Sequence, residues 1–171
     1  MTSDELLLYL TRNGIAATTA EHPALHTVEE SRRLRGDIPG LHTKNLFLRD
    51  SKKSFFLAVM DEASTVDLKA LRTRIGAPGN LSFGTPEMLL ELLGVTPGSV
   101  SLLGLINDRD KQVTAVIEQK LLNADVVNCH PLTNERTTSL VPADVLKFLA
   151  LTGHEPLLVT VDDDRNNAVV L

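Results

Sequence analysis

Apolar and polar positions follow helical periods in some parts of the chain and strand periods in others. Apolar residues three or four apart, each set followed by a glycine, predict helices over residues 6–10, 68–75, 88–93 and 145–149. Thr27, followed by Glu29 and Glu30, predicts the N-terminal cap of a further helix that runs toward Gly36. Helices therefore occur along the whole chain.

Short runs of apolar residues between the helices predict strands. They cover residues 15–21, 46–49, 55–60, 113–117, 126–130 and 157–161. The polar stretch 50–54 predicts a β-hairpin with a charged tip, which is too short for a parallel crossover. We therefore predict one compact α/β domain over residues 1–171, with helices around a mixed, largely antiparallel or barrel-like sheet.

Composition narrows the class of protein. The chain has 171 residues with 17 Lys and Arg, 22 Asp and Glu, and a single cysteine, Cys129. One cysteine excludes an internal disulfide framework and a cysteine-based zinc cluster. No apolar run reaches the roughly 18 residues of a membrane span, and Asp4 and Glu5 precede the first apolar stretch, unlike a secretory signal. These features predict a cytosolic protein without a membrane partner.

The net charge of −5 hides an uneven distribution. Residues 32–74 contain ten Lys and Arg against five Asp and Glu, which gives +5 and leaves −10 for the remainder. A basic segment of this size can bind a few phosphates, although a solvated face of mixed charge gives the same count.

Two pairs of residues suggest catalytic or metal chemistry only weakly. Cys129 and His130 are neighbours in a predicted strand, so their side chains point to opposite faces and a nucleophilic dyad is disfavoured. His22 and His26 have the spacing of two metal ligands on a helix, but Pro23 interrupts that turn and no third ligand follows. The sequence therefore predicts no metal site and no covalent nucleophile.

Three other segments combine polar groups with a constrained backbone. They are residues 42–45 at a strand start, the glycine-containing turn 94–101, and residues 128–134, where Pro131 ends a strand. Each has an ordinary alternative, namely a solvated strand start, a helix-to-strand turn and a loop cap. The turn can also present N–H groups to an oxyanion.

Taken in order, four motifs in this chain resemble one known family. They are KNLFLRD at residues 44–50, LGVTPGSVS at 93–101, LIND at 105–108 and NCHPLTN at 128–134. The chain is similar to the YbaK/ProRS-associated aminoacyl-tRNA deacylases, which are related to the editing insertion domain of bacterial prolyl-tRNA synthetase. Within that group it is most similar to the free-standing proteins that hydrolyse Ala-tRNA(Pro).

The resemblance implies an editing-domain-like fold and a trans-editing enzyme that needs neither metal nor other cofactor. The substrate would be the aminoacyl ester at the 3′ end of tRNA, most simply of tRNA(Pro), and water would attack its carbonyl. Prolyl-tRNA synthetase is a second expected partner, and the oligomeric state stays open between monomer and weak dimer. The resemblance assigns catalytic roles to Lys44, Gly98 and Ser99, and substrate contacts to Asn45, Val100, Ser101, His130 and Thr27.

One position departs from the family pattern. Leu102 stands where the glycine-containing loop of the family has proline. Unlike proline, leucine keeps its backbone N–H and leaves φ free. The departure bears on which aminoacyl group is removed, with Ser and Cys as alternatives to Ala. It also favours, as an alternative function, a non-catalytic module of the same fold that binds tRNA ends or a synthetase.

Overall fold

The computed structural model describes residues 1–24, 27, 29, 30, 33 and 38–161. Its helices are α1 (Ser3–Arg12), α2 (Leu68–Ile75), α3 (Pro86–Leu93), a 3₁₀ helix (Leu102–Asn107), α4 (Gln119–Leu122) and α5 (Pro142–Thr152). Its strands are β1 (Thr18–Glu21), β2 (Leu41–Arg49), β3 (Phe55–Asp61), β4 (Ser82–Phe83), β5 (Val113–Glu118), β6 (Val127–Cys129), β7 (Arg136–Leu140) and β8 (Leu157–Val159).

The helix ends follow from local sequence. Thr2 caps α1 in a reciprocal arrangement with Glu5, so two otherwise unpaired N–H groups at the helix start gain acceptors. Helices α2, α3 and α5 end at glycines in the left-handed conformation, with φ of 66° at Gly76 and Gly94 and 78° at Gly153. The predicted ends of these helices at glycine are confirmed.

The eight strands form one mixed sheet in the order β1-β7-β6-β2-β3-β5-β8, and β4 pairs with β2 at its side. The β2–β3 pair is the predicted antiparallel hairpin, and β6 with β7 forms a second short antiparallel connection. Parallel pairs join β2 to β6, β3 to β5 and β5 to β8. The predicted α/β class and mixed sheet are therefore confirmed.

The central strands bury both faces, and each face carries its own core. On the first face, Phe47, Leu57 and Val59 pack with α1, α3, α5 and the 3₁₀ helix. On the second face, Leu48 and Met60 pack with α2 and β8. The unbroken apolar run in β3 is typical of a strand covered on both sides.

Several elements were not predicted. Strands β4 and β7 have little apolar character in sequence, being SF and RTTSL, and they form because neighbouring strands offer them partners. The apolar run after the turn at 96–99 is a 3₁₀ helix. Most of the helix predicted after Thr27, and the polar tail from residue 162, lie outside the described residues. In the described part of the chain, no helix is long and apolar enough to cross a membrane.

Candidate functional site

An interruption in strand pairing creates the principal candidate site. On the edge away from β3, β2 pairs with β6 at Leu41 and His42, and with β4 at Leu48 and Arg49. Among the described residues, no strand pairs with the stretch 43–47 on that edge. The Phe47 carbonyl points to the β4 edge of β2, where it accepts from Gly84 N–H at 2.9 Å. Because backbone groups two residues apart in a strand point to the same edge, the N–H and carbonyl of Asn45 face the gap.

A pocket of about 190 Å³ opens beside the gap, and we call it the β2 pocket. Its lining is mostly apolar and carries one polar side chain, that of Asn45. The lining residues are Asn45, Phe47, Phe83, Gly84, Pro86, Leu89, Pro97, Gly98 and Val100. The apolar walls can enclose a small organic group while few polar atoms fix its orientation.

Asn45 carries the strongest local indication of a ligand. Its Oδ1 is buried and has no hydrogen-bond partner. Buried side-chain oxygens in folded proteins are nearly always hydrogen-bonded, so an unpartnered one in a pocket is available to a donor on a bound molecule. Asn45 thus lies beside the glycine-containing turn, with which it lines the β2 pocket, and its contact with substrate stays a prediction.

The turn over residues 96–99 is closed by its own hydrogen bond. Ser99 N–H donates to the Thr96 carbonyl at 3.0 Å, with Pro97 and Gly98 at the two central positions and φ of 92° at Gly98. This is the arrangement of a type II turn, which requires positive φ at its third residue. The N–H of Ser99 is therefore already hydrogen-bonded within the turn. The N–H groups of Gly98 and Val100 have no partner among the described residues.

Lys44 lies on the other face of β2 from Asn45. It is in register with Met60, a residue of the second core, and its Nζ donates to the Ser64 carbonyl oxygen. The Ser64 hydroxyl in turn donates to the buried Glu118 carboxylate at 2.8 Å, which also accepts Asp61 N–H at 2.8 Å. Lys44 is therefore held by a polar network and does not line the β2 pocket.

His130 lies in a small polar cleft next to the β2 pocket. The cleft is lined by His42, Thr43, Asn128, Cys129, His130 and Thr137. Thr43 and Asn45 are two residues apart on the same face of β2, so the cleft and the pocket are neighbours along one strand. His130 Nδ1 donates to the Arg136 carbonyl at 3.0 Å, which fixes the orientation of the imidazole.

The loop that follows His130 reaches the turn. A Cβ on Gly98 would lie 3.7 Å from Asn134 Nδ2. Leu132 in this loop has a φ of 63°, which is uncommon for a residue with a side chain and marks a tightly constrained backbone. The three segments singled out in the sequence thus meet at one place, with Lys44 as the exception.

Two predicted substrate contacts hold local structure instead of lining the pocket. Ser101 is completely buried, and its hydroxyl accepts from Leu103 N–H at 3.2 Å as the cap of the 3₁₀ helix. Thr27 is exposed, and its hydroxyl accepts from Glu30 N–H at 3.0 Å, as its predicted capping role requires. Contact of either residue with substrate stays a prediction.

Leu102, the departure from the family pattern, is the first residue of the 3₁₀ helix, and its side chain is fully buried. At that position an N–H has no acceptor within the helix, so proline and leucine are both compatible with the backbone.

The side chains of the motif residues Asn107 and Asp108 hold neighbouring elements of the fold together through hydrogen bonds. Asn107 Nδ2 donates to the Leu93 carbonyl at 2.9 Å, and Asp108 accepts from Val113 N–H at 2.8 Å. The buried imidazole of His154 lies 2.9 Å from the same carboxylate oxygen of Asp108. These contacts join the end of α3 to β5 and to the segment after α5.

Cys129 has the properties of a core residue. Its side chain is 2% exposed, and burial raises the pKa of the thiol to about 12, while a hydrogen bond with Thr43 opposes this shift only partly. A thiol of that pKa is protonated near neutral pH and is a poor nucleophile. His22, the other residue considered for special chemistry, has its Nε2 2.8 Å from Thr137 Oγ1, and His26 lies outside the described residues.

Sequence reasoning missed part of the pocket wall, namely Phe83, Gly84, Pro86 and Leu89. A Cβ on Gly84 would lie 2.5 Å from Cε1 of Phe47, so only glycine lets this segment approach β2 so closely. An aromatic residue followed by glycine and a proline-started helix was the available signal, but short turns of this composition are common.

With this geometry established, comparison with known proteins decides the family. The sequence profile of the aminoacyl-tRNA editing domain matches residues 22–148, which is more than half of the chain. The chain belongs to this family. The predicted family resemblance is therefore confirmed.

Similar proteins cover most of the chain. It is 39% identical over 160 residues to the prolyl-tRNA synthetase associated domain-containing protein 1 of Danio rerio, covering 92% of this chain and 86% of that protein. It is 34% identical over 138 residues to the prolyl-tRNA editing protein ProX of Acetoanaerobium sticklandii, covering 80% and 84% of the two chains.

A solved structure shares the fold of this editing domain. It is described as a candidate trans-editing enzyme for prolyl-tRNA synthetase, with a TM-score of 0.70, 24% identity, and coverage of 94% of this chain and 97% of that chain.

Proposed function

We propose that this editing-domain protein is a trans-editing hydrolase, an aminoacyl-tRNA deacylase that removes a small aminoacyl group from the 3′ end of tRNA. Membership of the editing family supports the deacylase activity. The observation that carries the assignment to the β2 pocket is the unpartnered Oδ1 of Asn45, which shares that pocket with the turn at Gly98.

The proposed reaction is attack of water on the ester carbonyl carbon. A bond forms from the water oxygen to that carbon, and the bond to the ribose oxygen breaks as this oxygen takes up a proton. The N–H groups of Gly98 and Val100 are the donors that would stabilise the oxyanion, because Ser99 N–H is committed to Thr96. Asn45 Oδ1 would accept from the ammonium of the aminoacyl group, and the vicinal ribose hydroxyl would orient the water.

An ester is an activated acyl group, so orientation and oxyanion stabilisation supply much of the rate enhancement. The proposed mechanism accordingly assigns no nucleophile to the protein, in agreement with the buried, protonated Cys129.

We propose Ala-tRNA(Pro) as the preferred substrate. Apart from Asn45, the pocket offers no polar side chain to the hydroxyl of Ser or the thiol of Cys. An apolar pocket rejects a slightly different small group only weakly, by about 1–3 kcal/mol per methylene-sized change. We therefore expect hydrolysis of seryl and cysteinyl esters at lower rates, and steric exclusion of the larger cognate prolyl group.

A panel of charged tRNAs tests the proposal. Purified protein is offered tRNA(Pro) charged with Ala, Ser, Cys or Pro, and release of each amino acid is compared with spontaneous hydrolysis. We expect the largest acceleration for Ala and none for Pro. Release of all four at the spontaneous rate would refute the deacylase function.

The position of Lys44 outside the β2 pocket leaves room for a second candidate function. The Lys44 ammonium already donates to the Ser64 carbonyl, which leaves two N–H donors for the phosphate or ribose of the terminal adenosine. If that geometry is not productive for catalysis, the chain is a non-catalytic module for tRNA ends or a synthetase. Tight binding of tRNA without turnover in the same panel would favour this alternative. Localisation in the cytosol stays a prediction.

A further inference from the structure

A groove in the surface lies between α1 and the loop that follows the 3₁₀ helix, and we call it the α1 groove. Its volume is about 460 Å³, more than twice that of the β2 pocket. The lining residues are Met1, Glu5, Leu8, Tyr9, Arg12, Asn13 and Arg109. None of them lines the β2 pocket or the polar cleft at His130, so the α1 groove is a separate feature of the surface.

Two exposed arginines of the α1 groove have side chains without a hydrogen bond or ion pair to any described residue. They are Arg12, in the last turn of α1, and Arg109, in the loop after the 3₁₀ helix. Arg136, near the start of α1, is different, because its guanidinium lies 2.6 Å from Asp4 and 3.2 Å from Glu21. The donors of Arg12 and Arg109 are therefore available to an anion from outside the protein.

The fold places two further cations close to the groove. Lys147 Nζ donates at 3.3 Å to the carbonyl of Gly14, which follows the end of α1. A Cβ on Gly153, at the end of α5, would lie 2.7 Å from the Nζ of Lys111, a residue of the same loop as Arg109. These two lysines contact the ends of helices, where a positive charge is stabilising. The same explanation does not apply to Arg109, which contacts no helix end.

The local charge around the α1 groove is positive, although the chain has a net charge of −5. The cations are Arg12, Arg109, Lys111 and Lys147. The exposed carboxylates in the groove lining and the same loop are those of Glu5 and Asp110, and Glu5 accepts Thr2 N–H at 2.7 Å in the cap of α1. The groove is therefore complementary in charge to an anionic ligand.

The α1 groove lies within reach of an RNA whose 3′ end occupies the β2 pocket. Val100 lines the pocket and Arg109 lines the groove, and the 3₁₀ helix connects the two. Because a 3₁₀ helix rises only about 2.0 Å per residue, the Cα atoms of Val100 and Arg109 are at most about 25 Å apart. An RNA strand covers that distance within a few nucleotides.

We propose that the α1 groove binds phosphodiester groups of the tRNA substrate, with Arg12 and Arg109 as the direct contacts. This inference rests on the proposed function, because the ester at the 3′ end of tRNA is what brings a polyanion to this surface. The planar donor fork of a guanidinium matches the oxygens of a phosphate. Given the distance from the β2 pocket, the contacted phosphates lie beyond the terminal nucleotide, toward the acceptor stem. Such contacts position the RNA and read no sequence.

The test is a set of titrations with two RNAs over a range of salt concentrations. One RNA is an acceptor-stem minihelix that ends in CCA, and the other is single-stranded CCA alone. Wild type is compared with the double variant Arg12→Gln/Arg109→Gln and with Arg12→Lys/Arg109→Lys, which keeps both charges. The matched control is Lys52→Gln/Lys69→Gln, which removes the same charge from exposed residues at the tip of the β2–β3 hairpin and on α2.

We expect Arg12→Gln/Arg109→Gln to bind the minihelix about ten-fold more weakly than wild type at low salt, and to bind CCA alone equally well. The slope of log K against log salt should become shallower by about 2, since each contacted phosphate contributes roughly 0.9. The lysine variant and the control should keep most of that slope. Wild-type affinity and slope in the glutamine variant, or the same loss in the control, would overturn the proposal. The former result would also be expected if the groove binds an acidic protein.

Deacylation of Ala-tRNA by the same proteins separates the two proposals. If the groove binds phosphates, Arg12→Gln/Arg109→Gln raises KM about ten-fold and leaves kcat nearly unchanged, because the lost contacts hold substrate without entering the chemistry. Active wild type, with a glutamine variant that keeps the wild-type KM and salt slope, refutes the phosphate site alone. Inactive wild type, with minihelix binding that depends on the two arginines, refutes the deacylase function alone.

Discussion

Strand β2 carries two neighbouring polar residues, Lys44 and Asn45, whose side chains differ in whether they have hydrogen-bond partners. On the second face, Lys44 donates to Ser64, and Ser64 donates to the buried Glu118. On the first face, Asn45 keeps a buried oxygen without any partner. Because unpartnered buried oxygens are costly, the comparison indicates that the polar groups on the Lys44 face stabilise the protein while Asn45 Oδ1 lowers its stability, as we expect of a group that serves binding.

The largest expected effect is on stability, from removal of the carboxylate on the Lys44 face. Glu118→Leu would leave Asp61 N–H and the Ser64 hydroxyl without their acceptor in a buried place. We expect the free energy of unfolding to fall by about 3 kcal/mol. Urea denaturation measures it, and a loss below about 1 kcal/mol would show that the network contributes little.

Lys44→Ala is the next test, and it asks whether this face also serves catalysis. If Lys44 holds the terminal phosphate or ribose, we expect kcat/KM on Ala-tRNA to fall about 100-fold while the protein stays folded. Lys52→Ala, which removes an exposed charge at the tip of the β2–β3 hairpin, is the control for general electrostatic attraction. Unchanged rates for Lys44→Ala would exclude it from the site and leave it a structural role.

Asn45→Leu is the matched counterpart of Glu118→Leu on the other face. Replacing a buried oxygen that has no partner costs no hydrogen bond within the protein, so stability should be unchanged or raised by up to about 1 kcal/mol. Activity should fall about ten-fold, because the aminoacyl group loses its acceptor. A destabilisation as large as that of Glu118→Leu would contradict the comparison.

The smallest effect is the pH dependence contributed by Cys129. Burial raises the pKa of the folded-state thiol from 9.0 to about 12, so the folded protein keeps a proton that the unfolded chain loses. This contribution to stability is complete below pH 9 and is lost as pH rises toward 12, by about 1 kcal/mol at pH 10.

Unfolding of wild type and Cys129→Ala between pH 8 and pH 11 isolates the contribution of the thiol. The difference between the two proteins should shrink as pH rises. A constant difference would show that the thiol ionises equally in both states. Deacylation by Cys129→Ala should continue, since the proposed reaction uses no thiol.

The elements that sequence predicted share a property: their signals are local. The helix ends at Gly76 and Gly94, and the hairpin around residues 50–54, follow from neighbouring residues alone. Strand β7 could not be predicted in that way, because RTTSL becomes a strand through its partners β1 and β6. Non-local pairing of this kind leaves little trace in a short window of sequence.

The candidate site shows the same division. Gly98 and Asn45 were assigned through the family resemblance, since a turn glycine and a polar strand residue each have ordinary explanations, and both line the β2 pocket. Lys44 and Asn45 are adjacent in one motif, and both were expected at the same site. Adjacent side chains of a strand point to opposite faces, so only Asn45 lines the pocket. Phe83 and Gly84 were missed because their importance comes from contact with β2, more than thirty residues earlier in sequence.

The gap in the pairing of β2 has a consequence for how such proteins diversify. The β2 pocket lies beside the stretch of β2 that neither β6 nor β4 pairs with, and its walls include Gly84 and the turn at Gly98. The turn at Gly98 and the connection between β4 and α3 both contribute to its wall, and connecting segments at a protein surface tolerate insertions and exchanges. We therefore expect changes in these connections to alter the size of the group that the pocket accepts without disturbing either core.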